Sequence, residues 1–382
     1  MKRLVEESGT LAVFHQMNKL RAMGKDIVNL CVGEPDLPPA QDIETAAVQA
    51  IQSHHLRYTP SEGIPELREA IAHVIQDEGW RADENRNLII TAGAKPALFT
   101  TLLALVKKTD EVLVPVPYYP SYTPMIRFAC AKPVYIPGNP QNGYKTGPQE
   151  LKAYLTHHSR FFILNSPVNP TGSVYSPDEL QELLKFLQKN HIVCILDDVY
   201  RHFIYDETIK EDISRILKPF QRSIILVRSL SKEFAMTGWR IGYAVAEESL
   251  ITPMKTVQGH IIGNAQTASQ LAALKALQKP GKYALPLHVF NSRRNDVMEA
   301  LHHVDHLSII YPAGAFYVFA DIRRIHPKKN DVMVCSELME KSGVAVTPGS
   351  AFGLKGFIRI SYADGSRLHE GLDRLVKGLS SR

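Results

Sequence analysis

The feature that most constrains this chain is a series of short apolar segments alternating with helical patterns between residues 88 and 246. Residues 88–91, 111–115, 132–136, 160–164, 191–196, 223–228 and 241–246 read as strands. Helices fall between them. One opens from Gly93-Ala94-Lys95-Pro96, and another opens at Ser176-Pro177-Asp178-Glu179, a capping box with proline at the first helical position. A strand with one wet face alternates polar and apolar residues, and 191–196 shows no such alternation. Strands buried on both faces, each followed by a helix, specify an α/β fold with a mostly parallel seven-stranded sheet covered on both sides.

At 382 residues the chain exceeds a single core, so a large domain with a smaller one is expected. The pattern changes after residue 246. Residues 247–258, 266–277 and 283–301 read as long helices, and 307–311 and 316–320 as strands. A helix (331–342), a strand pair (344–346 and 357–361) and a last helix from Ser366 complete the chain. Near the start, a helix and a strand at 27–32 precede the turn-rich Gly33-Glu34-Pro35-Asp36. The expected division is a large domain over 42–280 and a small α+β domain built from 1–41 and 281–382.

Bulk properties remove several classes of function. The 44 basic and 39 acidic residues give a formal charge of +5, but they are spread out, so nothing points to nucleic acid. No apolar run approaches the roughly 18 residues of a membrane span. The N-terminus turns acidic at Glu6-Glu7, too early for a secretory leader. Cys31, Cys130, Cys194 and Cys335 are far apart and read as reduced thiols, so a cytoplasmic location is expected. The adjacent histidine pairs (54/55, 157/158 and 302/303) lack metal-binding spacing, so no metal site is expected.

The chemistry gathers at residues 229–243. Ser229, Ser231 and Arg240 supply the hydroxyls and the planar cation that a phosphate needs. Lys232 then sits beside a phosphate and among cations that lower its pKa, which suits a Schiff base with pyridoxal phosphate (PLP). Asp197 ends an apolar strand, where a carboxylate could hold a pyridine nitrogen protonated. Asn169 and Tyr200 could hold the phenolic oxygen, and the turn at Ala94 and Lys95 opens a helix whose N–H groups can bind an anion. Tyr119 could stack on a ring, and Arg359 interrupts an apolar strand with a fork that matches a carboxylate. Taken singly, each has an ordinary reading as a turn cap, a core aromatic or a solvated charge.

Together these residues resemble the class I/II PLP-dependent aminotransferases of fold type I, in their bacterial aspartate/aromatic branch. The resemblance runs from Gly33-Glu34-Pro35-Asp36 through Tyr58, Gly93-Ala94-Lys95, Pro117-Tyr118-Tyr119, 165–172, 197–200 and 229–243 to 348–353 and Arg359. It implies that Lys232 is the Schiff-base lysine and proton shuttle. It pairs Asp197 with the pyridinium, and Asn169 and Tyr200 with the phenolic oxygen. It sets Ala94, Lys95, Ser229, Ser231 and Arg240 on the phosphate and Tyr119 on the ring. Arg359, Asn169 and the Gly33 backbone would take the substrate α-carboxylate. Tyr58 would reach the site of a second subunit, in a homodimer with shared active sites.

The implied activity is ping-pong transfer of an amino group from an L-amino acid, aspartate, glutamate or aromatic, to a 2-oxo acid such as 2-oxoglutarate. The same residues serve carbon–sulfur lyases and other eliminating enzymes, which form the alternative. Some positions depart from the family pattern. Tyr119 is often Trp there, Asp198 usually Glu, Val168 usually Asn and Gly93-Ala94 commonly Gly-Gly. The run His260-Ile261-Ile262-Gly263-Asn264 replaces a polar one, which puts the substrate side-chain pocket in question.

Overall fold

The computed structural model describes residues 8–54 and 56–381. Residues 1–7, read above as unsuited to a leader, lie outside that range, as do His55 and Arg382. In chain order the strands are β1 (Val28–Asn29), β2 (Leu88–Thr91), β3 (Glu111–Val116), β4 (Lys132–Pro137), β5 (Ser159–Asn165), β6 (Val193–Asp197) and β7 (Ile224–Ser229). There follow β8 (Gly242–Val245), β9 (Ser308–Ile310), β10 (Tyr317–Asp321), β11 (Val344–Ala345), β12 (Thr347–Pro348) and β13 (Phe357–Ser361).

The seven strands β2 to β8 form one sheet in the order β2-β8-β7-β6-β5-β3-β4. From β7 to β4 every neighbour pairs in parallel, and β8 alone runs the other way between β2 and β7. Successive side chains of a strand face opposite sides, and the core divides accordingly. Leu88, Ile90 and Leu226 join a cluster with Ile43, Leu67, Ile71 and Leu183 from helices on one face. Ile89, Ile225 and Val227 join another with Leu98, Leu102, Ile126 and Met254 from helices on the other. Burying each such side chain stabilises the fold by about 1.5–3 kcal/mol, which explains why these strands carry no polar alternation.

The later strands form a second sheet, order β12-β13-β10-β9, entirely antiparallel, and β1 pairs in parallel with β11. Val28 and Leu30 share a core cluster with Phe290, Leu301, Phe316, Ile358, Leu372 and Leu375. The beginning of the chain thus packs with its end. No helix among the described residues is long and apolar enough to cross a membrane.

Three readings of the sequence are corrected and one helix is added to them. The strand expected at 27–32 stops at Asn29, whose side-chain oxygen accepts hydrogen bonds from the N–H groups of Cys31 and Val32 and turns the chain. The helix expected over 283–301 is two, Pro280–Tyr283 and Leu287–His302, parted at Pro286 because a proline cannot continue a helix. The pair expected between 344–346 and 357–361 does not form: β11 pairs with β1, and β12 takes the place beside β13. A helix at Glu207–Leu217 was passed over, although Asp206 caps it through the N–H groups of Thr208 and Ile209.

Candidate active site

Parallel strands deliver their carboxyl ends to one side of a sheet, and a ligand site forms there. β5, β6 and β7 end side by side, with Asn165 in register with Asp197 and Asp197 with Val227. Beyond these ends opens a cavity of about 500 Å3. Every residue singled out from the sequence lines it except Tyr58: Gly33, Ala94, Lys95, Tyr119, Asn169, Asp197, Tyr200, Ser229, Ser231, Lys232, Arg240 and Arg359. Tyr58 is 98% exposed and lies elsewhere on the surface.

One wall is built for an anion. The helix Ala94–Leu105 begins at the cavity, so its first N–H groups have no partner within the helix. Gly93 precedes it at φ 101°, and a Cβ there would meet the Arg240 Nη2 atom at 2.5 Å. Glycine at 93 therefore lets the guanidinium lie against the helix start. Arg240 itself has φ 58°, and its Nη1 donates to the Thr237 carbonyl at 2.8 Å. A non-glycine residue in the left-handed region carries backbone strain, a pattern that clusters at ligand sites. The Ser229 hydroxyl donates to Ser231 Oγ at 2.8 Å, and both side chains are buried beside the cavity.

Two neighbouring carboxylates face different partners. Asp198 accepts from Arg228 Nε at 2.7 Å, and Arg228 is also bonded to Glu78 at 2.9 and 2.7 Å. Asp197 lies on the cavity side, 6% exposed, and no cation pairs with it among the described residues. Its Oδ2 accepts from the Tyr122 hydroxyl at 2.5 Å, while its buried Oδ1 makes no hydrogen bond of good geometry. Burial pushes this carboxyl up to about 6, the Tyr122 hydroxyl and the Val199 N–H pull it down, and Asp198 pushes it up again. Asn165 holds the strand end, its side chain donating to the Asp197 carbonyl and accepting from the Asn169 N–H.

Lys232 follows β7 in the short helix Leu230–Glu233, and its Nζ donates to the Gly33 carbonyl at 2.6 Å. Burial lowers its ammonium pKa to about 8. Glu34 opposes the shift, and the positive charges of Arg240, Arg359 and Lys95 add to it. Proximity to cations was the cause expected from the sequence, but burial leads.

The opposite wall carries Arg359, on β13 and 4% exposed. Its Nη1 donates to Asn169 Oδ1 at 3.0 Å and its Nη2 to the Cys31 carbonyl. The guanidinium lies 4.3 Å from the Tyr317 ring, its Nε has no acceptor, and no carboxylate pairs with it among the described residues. A buried cation without an anion is costly, so this one awaits a negatively charged ligand.

Sequence reasoning missed Tyr122 and Tyr317. Tyr122 stands three residues after Tyr119, across the turn that leads into the helix Tyr122–Phe128, with their rings 5.5 Å apart. Tyr317 read only as part of a strand, yet its hydroxyl is 2.8 Å from that of Tyr200. A Cβ at Gly33 would fall 1.8 Å from the same hydroxyl, so only glycine fits there. Burial pushes the Tyr200 phenol well up, with Tyr317 adding to it, so Tyr200 stays protonated and can donate.

Comparison with known proteins converges on one group. The family described as aminotransferase class I and II matches residues 25–379. A probable aspartate/prephenate aminotransferase of Aquifex aeolicus is 34% identical over 98% of this chain and 96% of its own length. The aspartate aminotransferase of Thermus thermophilus solved with maleate superposes with a TM-score of 0.90, at 32% identity, over 98% of this chain and 97% of its own. An aromatic aminotransferase of Pyrococcus horikoshii gives 0.86 at 33% identity, over 96% and 99%. Nearly the full length of each protein is involved, at identities that carry family membership as well as fold, and the chain belongs to the class I and II aminotransferases.

Proposed function

We propose that this aminotransferase works with PLP held through Lys232. Its substrates in this reading are an L-amino acid, aspartate, glutamate or aromatic, and a 2-oxo acid such as 2-oxoglutarate. The observation that carries the reading is the set of unmet charges on one cavity. Among the described residues Asp197 has a buried oxygen without a hydrogen bond of good geometry, and Arg359 is a buried cation with no carboxylate beside it. A pyridinium nitrogen would answer the first and a substrate carboxylate the second. The residues fit PLP on a further count, because Gly93 leaves open the corner where Arg240 meets the start of a helix.

When bound, PLP supplies an aldehyde to the lysine and a protonated ring that draws electrons from the substrate α-carbon. Arg240, Ser229, Ser231 and the N–H groups of Ala94 and Lys95 hold the phosphate. Asp197 keeps the ring nitrogen protonated, while Asn169 and Tyr200 hold the phenolic oxygen. Tyr119 stacks on the ring. Arg359, with Asn169 and the Gly33 backbone, orients the α-carboxylate. Lys232, titrating near 8, takes the α-proton and returns it. The names of the Aquifex, Thermus and Pyrococcus proteins support acidic and aromatic donors. Lys95, 5.7 Å from the Tyr119 ring, offers a cation to a side-chain carboxylate. In the same reading residues 42–280 form the PLP-binding domain and 1–41 with 281–382 the smaller one, supported by the core that Val28 and Leu30 share with the C-terminal segments. Four free cysteines, three of them buried, support a cytoplasmic setting.

Borohydride treatment of the PLP-loaded protein should attach a pyridoxyl group to the peptide carrying Lys232, read by mass spectrometry. Attachment to another lysine would refute the assignment. A panel of amino donors with 2-oxoglutarate should yield glutamate and the matching 2-oxo acid. Pyruvate with free ammonia instead would mark an eliminating enzyme.

The reading includes a homodimer with shared sites. Tyr58 is supplied to no site in its own chain, and exposed Val48, Ile51, Leu56, Ile261 and Ile262 offer apolar surface to a second copy. Mixing Tyr58→Ala with Lys232→Ala subunits should produce dimers in which one site has both residues intact. Losing a hydrogen bond to a charged group costs roughly 1.5–3 kcal/mol, so Tyr58→Ala alone retains PLP poorly. At limiting PLP the mixture should be more active than either parent. No gain would mean that Tyr58 serves no neighbouring site.

A further inference from the structure

We propose that Tyr122 is a positioning residue for the reaction, its hydroxyl holding Asp197 by one oxygen so that the other remains for the ring nitrogen of PLP. This rests on the reading of Asp197 as the ring-nitrogen partner. Tyr122 lies at the start of the helix Tyr122–Phe128, 2% exposed, and donates to Asp197 Oδ2 at 2.5 Å. Two further restraints locate the pair. The Tyr119 ring meets the Tyr122 ring edge-on at 5.5 Å, and Asn165 bonds the Asp197 carbonyl. The bond to Oδ2 restrains the carboxylate and points Oδ1 away, and among the described residues Oδ1 has no hydrogen bond of good geometry. A hydroxyl donates more strongly to an ionised carboxylate than to a neutral carboxyl, so this bond favours the anion, and an anion is what a protonated ring needs. Burial and the nearby Asp197 charge raise the Tyr122 phenol well above its ordinary value, so it remains a donor at every working pH. The other titratable groups acting on the pair are Asp198, Tyr119 and Tyr200. None of them donates to Oδ2.

The test compares Tyr122→Phe, Asp197→Asn and the double variant, starting from apo protein and titrating with PLP. Tyr122→Phe should weaken PLP binding at pH 7 by about tenfold to a hundredfold, the loss of one charge-assisted hydrogen bond. The pH below which PLP affinity declines should move upward by about one unit, because the anion has lost its donor. In the Asp197→Asn background the same change should have no further effect. Tyr122→His, which keeps an N–H donor, should recover part of the affinity and covers the case in which the phenylalanine variant does not fold. If Tyr122→Phe lowers only the melting temperature of the apo protein, with PLP affinity and its pH midpoint unmoved, the tyrosine is merely structural and the proposal fails. If Asp197→Asn itself leaves PLP affinity unchanged, the proposal falls together with the role given to Asp197. The two failures are therefore distinct.

Discussion

Lys232→Ala should lower the rate of amino transfer by about 10⁴-fold or more, because one side chain is asked both to hold PLP and to carry the α-proton. Alanine removes a single internal hydrogen bond, to the Gly33 carbonyl, so the protein should still fold. Exchange of the substrate α-proton with D2O should fall with the overall rate. A variant that keeps even a tenth of the activity would exclude Lys232 from the chemistry. The amine pKa of about 8 adds a check on the wild type. Only the neutral amine attacks an aldehyde, so the rate of PLP capture by apo protein should climb roughly tenfold per pH unit up to about pH 8 and then level. A rise continuing to pH 10 would show an ordinary, solvated lysine.

At saturating PLP, which the phosphate contacts still hold though more weakly, Asp197→Asn should lower kcat by roughly 10²–10³-fold, since an amide cannot hold the ring nitrogen protonated. The same substitution should act oppositely on the apo protein. The folded-state pKa of Asp197 is raised, to about 6 from 3.8. A raised acid contributes stability that is full below its unfolded pKa and lost as pH rises through the folded one. Above pH 6 the empty wild-type protein therefore carries a cost of about 3 kcal/mol that asparagine does not. Thermal melts of the two apo proteins should diverge in favour of the variant between pH 4 and pH 7. Parallel curves would mean that Asp197 is not strained by its burial. A group that destabilises the fold and is needed for the chemistry is expected where stability and activity compete.

The large sheet was legible because each of its strands carries its own signal, an apolar run between turn residues, and strands buried on both faces admit few arrangements. The candidate site was legible for a related reason. In a parallel sheet the polar residue ending a strand falls among the others of its kind, so Asp197, Ser229 and Asn165, with Asn169 in the loop just after it, could be placed together without coordinates. Pairings between distant segments were not legible. Nothing local tells β11 to join β1, residues 28–29, instead of β13. Tyr122 and Tyr317 escaped notice because a tyrosine in an apolar helix or strand looks like packing until its hydroxyl is seen against a carboxylate or another phenol. The helix Glu207–Leu217 escaped although its cap and its apolar spacing lay in plain view.

Arg359, on the last strand of the described residues, donates to the carbonyl of Cys31, more than three hundred residues earlier, and so ties the end of the chain to its beginning at the cavity. Large proteins assemble domain by domain as they leave the ribosome, the N-terminal parts first. The phosphate wall belongs to the large sheet, whose covering helices end at Gln278, whereas the carboxylate wall waits for β13. A chain interrupted between those points carries the grip for an anion but lacks the grip for an amino acid. The order of the segments thus keeps an unfinished copy from turning over substrate, whatever it can hold.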